Sequence, residues 1–299
     1  MNEPQPASIE ESPPPVIERA GRWQRMLREL IKAPFSAKLG LLIIFVYIFV
    51  AIFAPVLAPY GESEIVGKKY MLWNDDFLLG TDNLGRDTLS RIIYGARNTV
   101  GIALITTILA FVVGGILGIV AAVVGGWLDQ LLSRIVDILM AIPGLIFAML
   151  LLSIFGTTVL NLILIIGILD STRIYRITRA VSLNVVVMDF VEAAKLRGEG
   201  LGWITIREIL PSITAPLAAD FGIRFCFVFL TISALSFLGL GIQPPTADWG
   251  SMVRDTADLI TFEDYTPLIP AAAIAILTIG VNFVVDWFLH KTSGLKDEH

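Results

Sequence analysis

FVEAAKLRGEGLGWITIREILP, residues 190–211, is the stretch on which the reading of this chain turns. It holds Glu192, Lys195, Arg197, Glu199, Arg207 and Glu208, too many charges for a segment in hydrocarbon. Yet apolar runs flank the region, at Thr158 to Leu169 before it and Ile213 to Gly241 after it. Glu192, Ala193, Ala194, Lys195, Leu196 and Arg197 are tolerable or good helix formers, and Gly198 can end the helix they make. Beyond Gly200 and Gly202, WITIREIL gives a second helical stretch, which Pro211 is expected to stop at the return to the membrane. Two small residues followed by a turn glycine make a slim elbow. On physical grounds two readings stand level. One is a solvated loop between spans; the other is an elbow docking into a groove of a soluble partner, with Ala193, Ala194 and Gly198 permitting close approach.

The rest of the chain places this elbow in a membrane protein. Of 299 residues 55% are hydrophobic and 16% charged, with a mean hydropathy of +0.76, which is too apolar for an ordinary soluble domain of this length. The expected fold class is all-α, a polytopic membrane protein of six transmembrane helices. Crossing roughly 30 Å of hydrocarbon takes about 20 apolar residues. The spans are expected near residues 39–59, 100–126, 135–156, 158–170, 213–241 and 268–289, with the charged loop at 171–212. Residues 1–18 are rich in Pro and Glu and read as a disordered tail. Residues 19–38 mix Arg with Trp23, Met26, Leu27, Leu30 and Ile31 and read as an amphipathic segment on the anionic leaflet. The apolar run that follows is longer than a typical signal-peptide core, so an uncleaved anchor is expected.

Basic residues set the orientation. With the N-terminus in the cytoplasm, fifteen of the 22 Lys and Arg lie inside and six outside, while Arg224 is left within the fifth span. Both termini, including the tail 291–299, are therefore expected in the cytoplasm, with the elbow.

Inside the spans three features stand out. Gly114, Gly118, Ala122 and Gly126 recur every fourth residue and are expected to form a face for close helix packing. Pro143 frees a carbonyl and can kink the third span. Asp220 and Arg224 stand at i and i+4, the favourable order for a helical ion pair; they either line a pathway and touch a charged solute or neutralise each other between helices. Outside the spans, Asp248, Asp255, Asp258, Glu263 and Asp264 make an acidic outer loop that is either solvated or meets a partner, reached through Trp249 or Met252.

Several chemistries are disfavoured. GTDNLGRD, residues 80–87, spaces Gly80 and Gly85 like a phosphate loop but continues with Arg86 and Asp87 where Lys and Ser or Thr are needed. Cys226 is the single cysteine, and the only histidines, His290 and His299, lie at the tail. The sequence carries no H-E-x-x-H and no G-x-S-x-G. No catalytic residue and no metal site are expected.

Glu192, Ala193, Ala194, Gly198, Leu210 and Pro211 together resemble the EAA loop of membrane subunits in ATP-binding cassette (ABC) importers; Glu208 stands where that family usually has an aliphatic residue. GTDNLGRDTLSRIIYGAR, YRITRA with Arg176 and Arg179, LSFLGLGIQPPTADWGSM, and the Asn282/Asp286 pair extend the resemblance from about residue 36 to 289. They are similar to the DppC/OppC-like permeases of dipeptide, oligopeptide and nickel importers. The resemblance implies a type I ABC importer permease fold in a bacterial inner membrane, multi-pass, with alternating access. It implies these partners: a second homologous permease subunit, two ABC ATPase subunits, an extracytoplasmic solute-binding protein and the lipid bilayer, with no nucleic acid. ATP and magnesium would be bound by the ATPase subunits, so the chain itself needs no cofactor. The segment Gly80 to Arg91 becomes a structural entry segment.

Overall fold

The computed structural model describes residues 33–293. Its helices lie in the compact unit that begins at Phe35. Residues 1–32 and 294–299 fall outside the described residues, and with them the expected tail, most of the amphipathic segment and the end of the C-terminal tail.

We number the helices α1 Phe35–Leu57, α2 Thr88–Val124, α3 Gly126–Ala141, α4 Gly144–Phe155, α5 Val159–Val186, α6 Asp189–Leu196, α7 Leu201–Phe237, α8 Trp249–Thr256 and α9 Leu268–Ser293. Short π turns interrupt α2 at Ala96–Val100 and α7 at Thr205–Ile209. Among the described residues there is no sheet, only the isolated bridges Ile65 with Arg86 and Thr81 with Asp87.

Six spans were expected. Four helices, α1, α2, α7 and α9 (to Lys291), are long and apolar enough to cross, and α3 with α4 brings the number to as many as five. α3 and α4 meet at Pro143 with an 89° bend, so the stretch 135–156 is a broken pair and not one kinked helix. α5 is long, about 42 Å at 1.5 Å per residue, but Asp170, Arg173, Arg176 and Arg179 make it more polar than the others. It also runs on to Val186, so the first third of the expected loop 171–212 is helix.

Small residues draw the helices together. A Cβ on Gly114 would stand 2.4 Å from the Ser171 carbonyl oxygen, and one on Gly118 2.8 Å from that of Tyr175, so α2 packs backbone to backbone on α5. Ala122 is buried on this face. Gly126 is not part of it: with φ +63 it turns the chain between α2 and α3 and meets nothing. Gly40 of α1 approaches Gly280 of α9 in the same manner, its Cβ position 2.5 Å from the Gly280 carbonyl oxygen. The main core joins Leu152, Leu162, Phe225, Phe229, Ile232 and Leu235 to Trp249.

Pro211 does not end the elbow's second helix, contrary to expectation. It is the second residue after the π turn, and α7 continues through it. The Leu210 N–H reaches back five residues to the Thr205 carbonyl. This wider turn loosens the ladder where a proline ring and a missing N–H would otherwise break it.

Candidate functional site

The elbow is a short helix held against the end of the bundle. α5 ends at Val186, and only Val187 and Met188 separate it from α6. Gly198 has φ +80, where only glycine sits without strain. The Glu199 N–H donates to the Ala194 carbonyl at 3.2 Å and the Gly198 N–H to that of Lys195 at 2.9 Å, a Schellman-type closure. Arg197 lies 6.0 Å over the Trp203 ring, joining the helix to the start of α7.

The helix period divides the motif. Val191 and Ala194, three apart, are fully buried with Ile204, Ile209 and Ile213 against Ile119 and Val185. Ala194 is therefore not on the free face expected of it; its small side chain lets α6 sit down on its own bundle. Glu192, Ala193 and Gly198 are exposed, as are Leu210 and Pro211 on the first turn of α7 beyond the π segment. Around them Val187, Leu196 and Ile206 leave apolar side chains uncovered, Leu196 at 84% exposure. Sequence reading passed over these three because alone they look like ordinary helix residues.

A second tie holds α3 to α5. Arg179 donates through Nε to Asp129 Oδ1 and through Nη2 to Oδ2 at 2.6 Å, a two-pronged pair. One turn away the Ser133 and Tyr175 hydroxyls share a 2.9 Å hydrogen bond. Asp129 and Arg179 are 50 residues apart, which is why only the Arg in YRITRA stood out in the sequence.

The opposite end is closed by the segment that resembled a phosphate loop. Gly80 and Gly85 have φ +71 and +84, and a Cβ on either would lie within 2.3 Å of a backbone carbonyl, Met71 or Gly67. Between them Asp82 accepts from the Leu84 and Arg86 N–H groups and pairs with Arg86 Nε at 2.6 Å and Arg91 Nε at 3.4 Å. Asp87 caps α2 by accepting from Ser90 N–H at 2.7 Å. The Asp82 and Asp87 carboxylates thus serve the chain's own fold.

Trp249, 1% exposed, plugs this end: its Nε1–H donates to the Ile92 carbonyl at 3.0 Å and its ring meets Tyr47 and Phe229 edge-on. Met252 is buried too, so neither can be the surface contact through which the partner reading of this loop would act. Asp248 is likewise inside the protein, accepting from Thr99 Oγ1 and the Ser251 N–H; burial holds its carboxyl above the usual carboxylate range, against those hydrogen bonds. The exposed groups here include Asp258, Phe262, Glu263 and Tyr265, and the last three line a cleft of about 560 Å³ together with Trp73 and Leu259.

In the middle of α7, Asp220 and Arg224 form the expected pair, Nε to Oδ1 at 3.2 Å, with side chains 10% and 15% exposed. Among the described residues there is no cluster of three or more His, Cys, Asp or Glu able to hold a metal ion.

A bundle of long apolar helices carrying a braced elbow at one end defines the class, a multi-pass membrane protein. The comparisons name the family. Residues 114–291 match the binding-protein-dependent transport system inner membrane component, and residues 21–75 the N-terminal transmembrane domain of oligopeptide transport permease C. The chain is 33% identical over 294 residues to a dipeptide transport system permease protein DppC of Alkalihalophilus pseudofirmus, covering 96% of this chain and 92% of that one. It is 34% identical over 266 residues to a di/tripeptide transport system permease protein DppC of Pseudomonas aeruginosa, covering 86% and 85%. A glutathione transport system permease protein GsiD of Pectobacterium atrosepticum is 28% identical over 277 residues, covering 92% and 88%. The chain belongs to the binding-protein-dependent inner-membrane permease family, in its DppC/OppC-like branch, and is the transmembrane permease subunit of an ABC importer.

Proposed function

We propose that this subunit moves peptides or a closely related small solute, handed over by a solute-binding protein, and takes its drive from ATPase subunits through the elbow. The observation that carries the reading is the division of the EAA segment. Val191 and Ala194 fasten α6 to the bundle, while Glu192, Ala193, Gly198 and the apolar Leu196 face outward beside Leu210 and Pro211. A helix fixed on one side and uncovered on the other is what a rigid lever needs. An equilibrium moves only by the differential affinity of what binds its two states, and a 1:99 to 99:1 swing takes about 5.5 kcal/mol. Closure of an ATPase pair must therefore reach the spans through stiff contacts. On this reading the chain hydrolyses nothing, ATP and magnesium stay with two ATPase subunits, and a second homologous permease completes the pathway. The elbow and both termini are cytoplasmic, in keeping with the basic residues.

At the opposite end we assign the exposed group Asp258, Phe262 and Glu263 to the binding protein, in place of Trp249 and Met252. Both contacts can be tested by cross-linking, since the chain's own Cys226 is buried. Ala193→Cys is expected to cross-link to an ATPase subunit and Phe262→Cys to the binding protein. An Ala193→Cys that reacts freely with a soluble thiol reagent in the assembled complex and never with an ATPase would overturn the docked elbow.

A further inference from the structure

α5 and α7 pack together, and along their contact the chain gathers charge deep in an apolar bundle. Asp220 stands about 15 Å along the helix axis from Leu210, and Asp170 about 24 Å from Val186, at 1.5 Å per residue. Asp170 is 11% exposed and lies within electrostatic reach of both Asp220 and Arg224. Its Oδ1 approaches Arg173 only to 3.9 Å, and Arg173 is 46% exposed, so that contact is weak. Its Oδ2 is buried and accepts no hydrogen bond from the described residues.

Arg224 is under-used in the complementary sense. Among the described residues it donates hydrogen bonds through Nε alone, to Asp220, while its guanidinium lies 5.8 Å from the Phe227 ring. The forked Nη groups, suited to a carboxylate, carry no bond. A self-neutralising pair would be complete with Asp220 and Arg224. Asp170 adds a second carboxylate that the pair does not need, and a buried acceptor without a donor is costly. Ionisable groups at such depth usually face a polar pathway or a partner.

We propose that Asp170, Asp220 and Arg224 form a binding site for a zwitterionic solute on the translocation path, Asp170 Oδ2 receiving an ammonium group and the Arg224 fork a carboxylate. The site rests on the peptide-permease reading above and gives it a specificity determinant within this chain. Asp220 serves as the positioning residue, holding the guanidinium through Nε.

The test uses the whole complex in proteoliposomes with ATP inside and saturating loaded binding protein. Uptake of radiolabelled dialanine, trialanine and glutathione is measured beside binding-protein-stimulated ATP hydrolysis. Asp170→Asn and Arg224→Gln are each expected to cut solute moved per ATP about tenfold or more, the effect of losing a charged hydrogen bond. Assembly and stimulated hydrolysis should persist, and Asp170→Glu should recover part of the uptake. Uptake within twofold of wild type in both Asp170→Asn and Arg224→Gln overturns the site. So does a failure of both to assemble, which makes the cluster a packing element. A wild-type complex that takes up none of the probes refutes the peptide reading itself, whereas wild-type uptake with unaffected variants refutes the site alone.

Discussion

Arg179 of α5 grips Asp129 of α3 with two parallel hydrogen bonds, and this pair ties the broken helix pair to the helix that leads into the elbow. α5 reaches α6 after only two intervening residues. On the proposed coupling, a displacement of α6 would reach α3 through Arg179 as well as through the packed α2 face.

Arg179→Lys replaces the fork by a point charge and keeps one contact at most. The pair is partly exposed, so the expected loss of stability is small, about 1 kcal/mol or less. The loss of coupling should be larger: uptake per ATP hydrolysed falls several-fold while the complex stays assembled. Uptake and hydrolysis measured together decide it, and an unchanged ratio would count against the tie.

Gly198 separates conformation from space. A Cβ there meets nothing within 4 Å, yet φ is +80. Gly198→Ala should therefore cost only about 1 kcal/mol, the strain of the left-handed region, and leave most uptake. Gly198→Trp should insert and assemble but uncouple hydrolysis from uptake by obstructing the dock. Normal uptake by the Trp variant would refute a docked turn.

Gly114→Leu should fail differently. Its side chain would drive into the Ser171 carbonyl, where backbone and not a flexible side chain must yield. Overpacking of this kind typically costs about 1–3 kcal/mol, occasionally more. The expected result is a lower unfolding temperature of the purified subunit in detergent, whereas Gly115→Leu, at a position open to 4 Å, should be nearly silent.

Gly95 makes the matching test at the plugged end. A Cβ there would lie 2.6 Å from the Trp249 indole, which is itself bonded to Ile92. Gly95→Val should loosen α8 and raise protease cleavage around residues 242–267. Unchanged cleavage would mean that Trp249 is not the plug.

Much of this was legible in the sequence, for identifiable reasons. The Gly114/Gly118 face could be read because small residues at helical spacing have one common use in a membrane. The turn at Gly198 followed from glycine after a run of helix formers. Gly126 was misjudged because it continues the same spacing while belonging to a turn with Gly125, both at positive φ. Pro143 pointed to a kink within one span, whereas the two helices meet there at 89° as a broken pair. Pro211 looked like a stop because a π turn, invisible to propensity, relieves its clash. The charges after Asp170 looked like the end of a span, yet α5 carries them on as helix because Asp129, Ser133 and the packed face of α2 receive that stretch. Asp170 itself was missed as a site residue: its neighbours Asp220 and Arg224 lie 50 or more residues away, and only the fold brings them together.

The claim that this chain moves solute only as part of an ATP-driven complex is tested most directly by uptake into proteoliposomes of the subunit alone and of the full complex, each with and without internal ATP. The account predicts uptake only by the complex, only with ATP. Solute moved by the isolated chain without ATP would contradict it.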